Sequence, residues 1–372
     1  MAAHCSSSPH VAKDSQKNPW QGGIGGIGPN RLCNRYHIGG CELPTINDVA
    51  RAAGVSVATV SRVLNQSEKV KPDTKERVRQ VIERLQYSPD ASAKALRSRR
   101  TSLIGVVIPD VSSIYYLELL KGIENTAIGA NYNLIICDAQ NSAERENEYM
   151  KMLSERRLDG FIFINTLLLD EQIAKLAQQG FPLVLIGREL KDGHVTSVMV
   201  DNRSGACQAM DHLIGHGHQR IAYLRGMIHP DDEERFSSYR DTLARHGLSF
   251  DPQLVERGLF TEEGGAHALG RLVQRAKFTA VFAGNDEMAI GAMGKARQLG
   301  LRVPDDLAVV GFDNIRLARH VVPALTTADM PKYQLGAMAA KKLLEALSNE
   351  HIVYEKVVLR TELTIRQSCG CP

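Results

Sequence analysis

From residue 101 onward the sequence alternates between short apolar runs rich in β-branched residues and stretches with the apolar spacing of amphipathic helices. The apolar runs are LIGVVIPDV (103–111), LIICDA (134–139), GFIFIN (160–165), PLVLIG (182–187), SVMVDN (197–202), RIAYLRG (220–226), AVFAGN (280–285) and LAVVGFDN (307–314). Helical patterns fall between most of them, for example over 115–129, 143–157 and 286–299. Almost continuously apolar strands are typical of parallel sheets that helices cover on both faces. These strands are too many for one compact sheet, so we predict an α/β fold with two doubly wound sub-domains.

Polar residues and a glycine stand where several of these runs end. Asp110, Gly187, Asn285 and Asp313 all follow apolar runs directly or close them. Ligands of open parallel sheets bind beyond the carboxyl ends of the strands. We therefore expect a small-molecule site at this edge of the sheets.

A different pattern precedes the sheets, in the stretch TINDVARAAGVSVATVSRVLN (45–65). Thr45 can cap a first helix, and Ser56 can cap a second one. Between them, Gly54 can turn the chain because glycine readily adopts a left-handed conformation. A third amphipathic helix is predicted from Pro72 to Tyr87. Three short helices with a glycine turn indicate a helix-turn-helix unit. The pattern alone leaves open a small helical bundle whose Arg and Ser side chains are merely solvated.

The charge of the chain is unevenly distributed. Residues 45–100 carry twelve Lys or Arg against six Asp or Glu, whereas residues from 101 onward carry 29 against 34. A basic head on an acidic body indicates that the head alone meets a polyanion.

Composition restricts the class of protein further. Residues 1–43 are rich in Gly, Ser, Asn and Pro without periodicity, and we expect a disordered tail. No apolar run is long enough to span a bilayer and the N-terminus does not read as a signal peptide, so a cytoplasmic protein is expected. Seven scattered cysteines argue against a disulfide framework. Cys369 and Cys371 are interpreted as an incidental tail, since two thiols lack a full set of zinc ligands.

The 45–65 stretch closely resembles the DNA-binding head of the lactose-repressor/galactose-repressor (LacI/GalR) family of bacterial transcriptional regulators. The resemblance continues through YSPDASAKALRSRRTSLIGVVIPDVS (87–112), AVFAGNDEMAIGAM (280–293), VVGFDN (309–314) and PALTT (323–327). It implies a type I periplasmic-binding-protein-like core, which agrees with the two predicted sub-domains. It also implies four segments: a tail at 1–43, a helix-turn-helix domain at 44–88, a hinge helix and linker at 89–100, and an effector-binding and dimerisation core at 101–372.

The resemblance assigns DNA-binding roles in the head. Val57 and Ala58 would touch thymine methyl groups in the major groove, and Arg62 would read guanine. Leu96 would be the hinge residue that inserts into the minor groove, although Asp90 and Lys94 depart from the family pattern and weaken that expectation. The positions expected to contact phosphates or support register are Thr45, Ser56, Thr59, Ser61, Asn65 and Lys69.

The resemblance also assigns an effector site in the core. Arg235, Asn285 and Asp313 would form a polar clamp for a polyol, because a carboxylate accepts from neighbouring hydroxyls and an arginine and an amide complete the set. Phe260 would pack against the ligand. The remaining expected contacts are Ile114, Tyr115 and Tyr116; for the two tyrosines a plain apolar helix face is the alternative. Because the clamp is rich in hydroxyl-binding groups, a sugar is the first choice of effector. Gly187 replaces an acid common in the family, which implies room for a larger ligand or a different chemistry, so a nucleoside or other metabolite stays open.

These observations predict a homodimeric, ligand-responsive transcriptional repressor that binds a palindromic operator. A sugar-binding receptor for uptake without a DNA role is the main rival. No enzyme activity, cofactor or metal site is predicted; in particular His212, His216 and His218 are interpreted as a helix-to-strand turn rather than as metal ligands.

Overall fold

The computed structural model describes residues 44–65, 67–88, 100–155, 157–191, 194–348 and 354–371. Their contacts divide the chain into two compact units, one up to residue 89 and the other from residue 90 onward. Among the described residues no helix is both long enough and apolar enough to cross a membrane. The predicted tail at 1–43 and the hinge position Leu96 lie outside the described residues.

Three helices form the first unit. They are α1 (Ile46–Ala53), α2 (Val57–Leu64) and α3 (Pro72–Leu85). The backbone N–H and the hydroxyl of Thr45 both donate to Asp48, at 3.0 and 2.7 Å, and close the first turn of α1. Gly54 has a φ of 64° and turns the chain into α2, which Ser56 caps by accepting from the backbone N–H of Thr59 at 3.2 Å.

A small valine-rich core holds these helices together. Val49 of α1, Val60 and Val63 of α2, and Val78 and Val81 of α3 are all buried. These positions recur at helical spacing, so each helix presents one apolar stripe to the other two. The helix-turn-helix prediction is correct in this unit, with α3 ending two residues earlier than expected.

The second unit contains the predicted alternation of strands and helices. In chain order its elements are β1 (Leu103–Ile108), α4 (Tyr116–Gly129), β2 (Asn133–Asp138), α5 (Ala143–Ser154), β3 (Gly160–Ile164), α6 (Asp170–Gln178), β4 (Leu183–Ile186), β5 (Thr196–Val200), α7 (Asn202–Gly215), β6 (Ile221–Arg225), α8 (Pro230–Arg245), β7 (Val255–Arg257), α9 (Glu262–Arg275), β8 (Ala280–Ala283), α10 (Asp286–Gln298), β9 (Ala308–Asp313), β10 (Thr326–Asp329), α11 (Lys332–Ser348), β11 (Lys356–Leu359) and β12 (Glu362–Thr364). Short 3-10 turns occupy Pro252–Leu254 and Arg316–Arg319.

The strands form two six-stranded sheets, which confirms the two-sub-domain prediction. The first has the order β11-β5-β4-β3-β1-β2 and the second the order β12-β10-β9-β8-β6-β7. All described pairings are parallel except that between β10 and β12, which is antiparallel. The chain passes between the two sheets three times, after β5, β10 and β11. Residues at or just after the carboxyl ends of β1 and β3 of the first sheet and of β6, β8 and β9 of the second line one cavity, so these ends lie near each other.

Close backbone packing fixes α11 onto the first sub-domain. A Cβ atom at Gly122 of α4 would meet the carbonyl of Tyr333, and one at Gly336 of α11 would meet the carbonyl of Leu119. The two helices therefore approach each other through glycine, and α11 covers the same sheet as α4. This contact ties the loop before α11, which belongs to the second sub-domain, to the helix that opens after β1.

Candidate functional site

A cavity of about 210 Å³ with both polar and apolar lining residues lies between the two sub-domains. It is lined by residues that follow strands of both sheets, as the predicted ligand position requires. The first sub-domain contributes Pro109, Asp110, Ser112, Ser113, Tyr115, Tyr116, Asn141, Asn165 and Leu167. The second contributes Met227, Ile228, His229, Asp231, Arg235, Leu259, Phe260, Thr261, Asn285, Glu287 and Asp313.

Six of the seven residues proposed for the effector site line this cavity. Tyr115, Tyr116, Arg235, Phe260, Asn285 and Asp313 are brought together from positions up to 198 residues apart in the numbering, whereas Ile114 is not part of the lining. The side chain of Ile114 is instead 38% exposed, beside the loop that carries Ser113. Its expected role as an effector contact therefore has no geometric support.

A buried arginine and a buried aspartate form the polar floor of the cavity. Nη1 of Arg235 lies 3.7 Å from a carboxylate oxygen of Asp313, and both side chains are about 95% buried. The guanidinium donates to Asn202 at 2.9 Å and to the carbonyl of Gly284 at 2.6 Å. It also stacks 3.8 Å above the ring of Phe312. These contacts fix the plane of the guanidinium and aim it at the cavity.

The backbone that presents Asp313 is held in an unfavourable conformation. Asp313 and Asn314 have φ angles of 108° and 51°, which non-glycine residues seldom adopt. The ammonium of buried Lys332 donates to the carbonyls of both residues. The carboxylate of Asp286 accepts from the backbone N–H of Ile315 at 2.8 Å. A conformation that costs about 1–3 kcal/mol is retained here by contacts that define the direction of the Asp313 side chain.

Burial raises the pKa of Asp313 to about 7. The positive charges of Arg235 and Lys332 oppose the increase, and the carboxylates of Glu287 and Asp231 add to it. Asp313 therefore changes its protonation state near neutral pH, and a ligand that donates hydrogen bonds to it would compete with a proton.

His229 and Asp231 were missed by the sequence analysis and line the same cavity. Nδ1 of His229 accepts from the backbone N–H of Asp231 at 3.3 Å, so the neutral ring carries its proton on Nε2. Burial lowers the pKa of His229, which favours this neutral form. Within the described part of the chain, its buried Nε2 has no hydrogen-bond partner. A buried donor without a partner is costly, so this atom is suited to a ligand oxygen.

Asp231 is joined to Arg235 through one amide. The Asn202 side chain donates to Asp231 at 2.8 Å and accepts from Arg235 at 2.9 Å. Asn202 is the first residue of α7 and is fully buried, so it links the two functional groups rigidly. The signal available in the sequence was the polar run HPDDEER (229–235) at the start of a helix, which the pattern analysis did not single out.

Asn165 occupies the space beside Gly187, where an acid was expected. A Cβ atom at Gly187 would collide with Oδ1 of Asn165 and would lie 3.2 Å from a carboxylate oxygen of Asp231. Among the described residues the buried Oδ1 of Asn165 has no hydrogen-bond partner. The room predicted for a larger ligand at Gly187 is therefore filled, and Asn165 provides an oxygen acceptor in place of the absent acid.

Aromatic rings form the walls. The rings of Tyr115 and Tyr116 meet edge to face with centroids 5.0 Å apart. Burial raises the pKa of both hydroxyls, so both stay protonated and can donate. Phe260 rests on Gly226, since a Cβ atom there would overlap its ring. Asn285 caps α10 through Met288 at 3.0 Å and donates to the carbonyl of Phe260 at 3.1 Å, so part of its hydrogen-bonding capacity is used to hold this wall.

In the head, the predicted DNA-contacting positions run from the residue before α1 to the segment after α2. Val57, Ala58 and Arg62 are exposed, with Val57 40% exposed although it is apolar. Thr45, Ser56, Asn65 and Lys69 are also exposed, and Thr59 and Ser61 are half-buried.

Several of these polar groups already serve the fold. Ser56 caps α2, Thr45 donates to Asp48, and the amide of Asn65 donates to the carbonyl of Ser61 at 2.8 Å. Such groups are fixed in direction, as phosphate-positioning groups need to be. The side chains of Val57, Ala58 and Arg62 are exposed on α2 and take no part in these caps.

A helix-turn-helix head joined to a two-sheet core with a polar cavity is the architecture of ligand-responsive transcriptional regulators. The family described as "Bacterial regulatory proteins, lacI family" matches residues 45–90, and the periplasmic binding protein-like domain matches residues 210–369. The catabolite control protein A of Priestia megaterium is 36% identical over 327 residues, covering 87% of this chain and 98% of that protein. The regulator DegA of Bacillus subtilis is 34% identical over 328 residues, covering 87% and 97%.

Solved structures agree with these sequence matches. The lac repressor dimer bound to operator and the anti-inducer ONPF has a TM-score of 0.80 at 27% identity, covering 88% of this chain and 99% of that one. The regulator CelR in complex with cellobiose has a TM-score of 0.68 at 32% identity, covering 87% and 99%. The chain belongs to the LacI family of bacterial transcriptional regulators.

Proposed function

We propose that this regulator is a homodimeric repressor that releases or takes up a palindromic operator in response to a monosaccharide-sized sugar. The observation that supports the sugar is the lining of the cavity. Its polar groups include a buried guanidinium and carboxylate 3.7 Å apart, together with an imidazole donor and an amide oxygen that lack partners among the described residues.

The chemistry of a sugar fits this lining. Each hydroxyl of a polyol both donates and accepts, so vicinal hydroxyls can donate to Asp313 and accept from Arg235 and His229. Tyr115 and Phe260 offer apolar faces to the C–H groups of a pyranose ring. The volume of about 210 Å³ is below the range of about 300–1,000 Å³ typical of drug-sized ligands, which favours a single sugar unit. CelR is a relative solved with cellobiose, and the lac repressor is one solved with operator and an anti-inducer.

The DNA side of the proposal follows from the head. We assign Val57 and Ala58 to thymine methyl groups and Arg62 to a guanine in the major groove. Thr45, Ser56, Thr59, Ser61, Asn65 and Lys69 would fix the register through phosphates. Leu96, outside the described residues, keeps its assignment as the minor-groove wedge. The head at 44–88, hinge at 89–100 and core at 101–372 remain the proposed domains, without an enzymatic role.

One experiment tests the sugar and the DNA together. The full-length protein is used to select binding sites from random duplexes, and the selected duplex is then titrated in the presence and absence of single sugars that raise the melting temperature. A ligand present at about 100 times its Kd adds roughly 2.7 kcal/mol to native stability, so a true effector is readily detected. We expect a palindromic selected site and one sugar that changes its Kd.

A cavity variant separates the two parts of the proposal. Asn165→Ala removes the unpartnered oxygen and should weaken sugar binding about tenfold while operator binding without sugar is unchanged. Asn133→Ala, which removes an exposed amide on β2, is the matched control and should alter neither sugar binding nor operator binding. A protein that binds sugar but selects no duplex would instead support the uptake-receptor alternative.

A further inference from the structure

The last residues of the chain return to the end of α7. Cys371 lies next to two histidines on that helix, His212 in its last turn and His216 immediately after it. Its Sγ is 3.3 Å from Nε2 of His216 and 3.7 Å from Nε2 of His212. His216 and Cys371 are 155 positions apart in the sequence, and neither the histidines nor the terminal thiols alone predict a metal site.

The spacing of these three atoms matches that of ligands around one metal ion. Tetrahedral zinc has Zn–S and Zn–N bonds of about 2.3 and 2.0–2.1 Å, which place sulfur and nitrogen ligands about 3.5 Å apart. The two observed sulfur–nitrogen distances lie on either side of that value. All three atoms lie within 4.8 Å of one another, and histidines one helical turn apart are a common zinc-binding pair.

The surroundings favour a cation. The end of α7 carries the negative pole of the helix dipole, directly beside His216. His216 is exposed, and His212 and Cys371 are half-buried, so an ion can reach the three groups from solvent. Neither histidine nor Cys371 lines the effector cavity.

The second terminal thiol is engaged in the fold. Cys369 is 98% buried, accepts from the hydroxyl of Thr326 at 3.0 Å and donates to the carbonyl of Arg366 at 3.3 Å. It therefore anchors the tail against the second sheet and leaves Cys371 as the thiol that faces the histidines. Ser368 adds to this anchor through Val309, whose carbonyl accepts from its hydroxyl at 2.5 Å.

We propose that His212, His216 and Cys371 bind one Zn²⁺ ion, with water as the fourth ligand, and so clip the C-terminal tail to α7. Two neutral imidazoles and one thiolate suit a borderline metal such as zinc better than magnesium or calcium, which take oxygen ligands. On binding, the thiol of Cys371 loses its proton to solvent and its sulfur forms the bond to zinc. No electron is transferred, and the site is distinct from the proposed sugar cavity.

The test begins with a background that removes competing thiols. Cys5, Cys33 and Cys41 lie in the N-terminal tail and are replaced by serine in the full-length chain, which is kept reduced and stripped of metal. Zinc is titrated against a chromophoric chelator, and Co²⁺ is used as a spectroscopic probe. We expect one Zn²⁺ per chain, and a Co²⁺ complex with tetrahedral visible bands and a thiolate-to-cobalt charge-transfer band.

Variants assign the ligands. In that background, Cys371→Ser should abolish the charge-transfer band and weaken zinc binding at least tenfold, and His212→Asn and His216→Asn should each weaken it by a similar factor. Cys207→Ser and His267→Ala are matched controls on a half-buried thiol of α7 and an exposed histidine of α9, and should leave binding unchanged.

A stability measurement guards against variants that merely misfold. Zinc should raise the melting temperature of the background protein and of both controls but not of Cys371→Ser, whose metal-free melting temperature should equal that of the background. The proposal is overturned if the background binds no zinc, if Cys371→Ser retains the charge-transfer band, or if a control loses binding together with the three variants.

Discussion

The hydroxyl of Ser113 donates to a carboxylate oxygen of Glu287 at 2.7 Å and joins the two sub-domains across the mouth of the cavity. Ser113 follows β1 in the first sub-domain, and Glu287 lies in the first turn of α10 in the second. Burial raises the pKa of Glu287, and the hydrogen bond from Ser113 opposes that increase. The bond therefore stabilises the arrangement in which both sub-domains contribute to one lining.

Removing this hydrogen bond should weaken effector binding without changing the cavity surface elsewhere. Ser113→Ala deletes a bond worth about 1 kcal/mol, so the sub-domain arrangement that binds ligand is less populated and the apparent Kd rises about fivefold. Isothermal titration with the effector measures this change. Ser154→Ala, which removes an exposed hydroxyl at the end of α5, should leave the Kd unaltered. Equal affinities for Ser113→Ala and the parent would show that the contact plays no part in binding.

Two glycines of α10 should respond in opposite ways to the same substitution. A Cβ atom at Gly294 meets nothing within 4 Å, whereas one at Gly291 would collide with the backbone carbonyl of Glu262. Gly294→Ala should stabilise the core by about 0.5–1 kcal/mol, because alanine is the better helix former. Gly291→Ala should destabilise it by about 1–3 kcal/mol through overpacking between α9 and α10. Thermal melts of the two variants beside the parent give the comparison; shifts of the same sign would contradict the packing seen here.

Effector affinity should depend on pH through Asp313, whose pKa is raised to about 7. Below pH 7 the carboxyl is mostly protonated and loses acceptor capacity; above pH 7 it is ionised and accepts from two hydroxyls. Affinity for a polyol should therefore increase about tenfold from pH 6 to pH 8, following the ionised fraction. Asp313→Asn fixes the group in a neutral form and should remove this dependence along with most of the affinity. A parent protein whose affinity is flat over this range would exclude Asp313 as the acceptor.

Much of this fold could be predicted from sequence because its long elements carry strong periodic patterns. The apolar runs 103–111 and 307–314 contain β1 and β9, and the predicted helix at 286–299 differs from α10 by one residue. Strands β7, β10, β11 and β12 were not predicted. They contain three or four residues, and the burial of β7, β11 and β12 at the sheet edges is partial, so their sequences carry little periodic signal.

The site was predicted less completely, for a physical reason. Arg235, Asn285 and Asp313 could be predicted because the family resemblance assigns them to a polar clamp for a polyol. The roles of Asn165 and His229 depend on their neighbours in space. Asn165 fills the space beside Gly187, and the backbone N–H of Asp231 orients the ring of His229. Such roles arise only when separate loops meet, which one-dimensional spacing does not encode. Conversely, Ile114 is next to Tyr115 in the sequence but does not line the cavity.

In the head, Arg62→Ala should cost about 1–3 kcal/mol of operator binding and relax the preference at one symmetric base pair, because a guanidinium reads guanine through two hydrogen bonds. Binding of the full-length protein to the selected operator and to all single-base variants measures both effects. Arg79→Ala, which removes an exposed arginine of α3, is the control and should leave base preference intact. If Arg62→Ala weakens binding equally for every sequence, Arg62 contacts phosphate instead.

The coupling between cavity and DNA should be reciprocal. A sugar held between Tyr115 of the first sub-domain and Arg235 and Asp313 of the second favours one arrangement of the two sheets, and operator DNA favours one arrangement of the paired heads. If these preferences are linked, each ligand changes the affinity of the other by the same factor, about 5–150-fold for a coupling of about 1–3 kcal/mol. Effector titrations with and without saturating operator, and operator titrations with and without saturating effector, measure the factor twice.

Asp313→Asn should bring both values close to one while preserving operator affinity in the absence of effector, because its carboxylate lies in the core cavity and not in the head. Two unequal factors would break thermodynamic linkage and show that one titration was not at equilibrium; equal factors of one in the parent protein would mean that the sugar in the cavity does not regulate DNA binding.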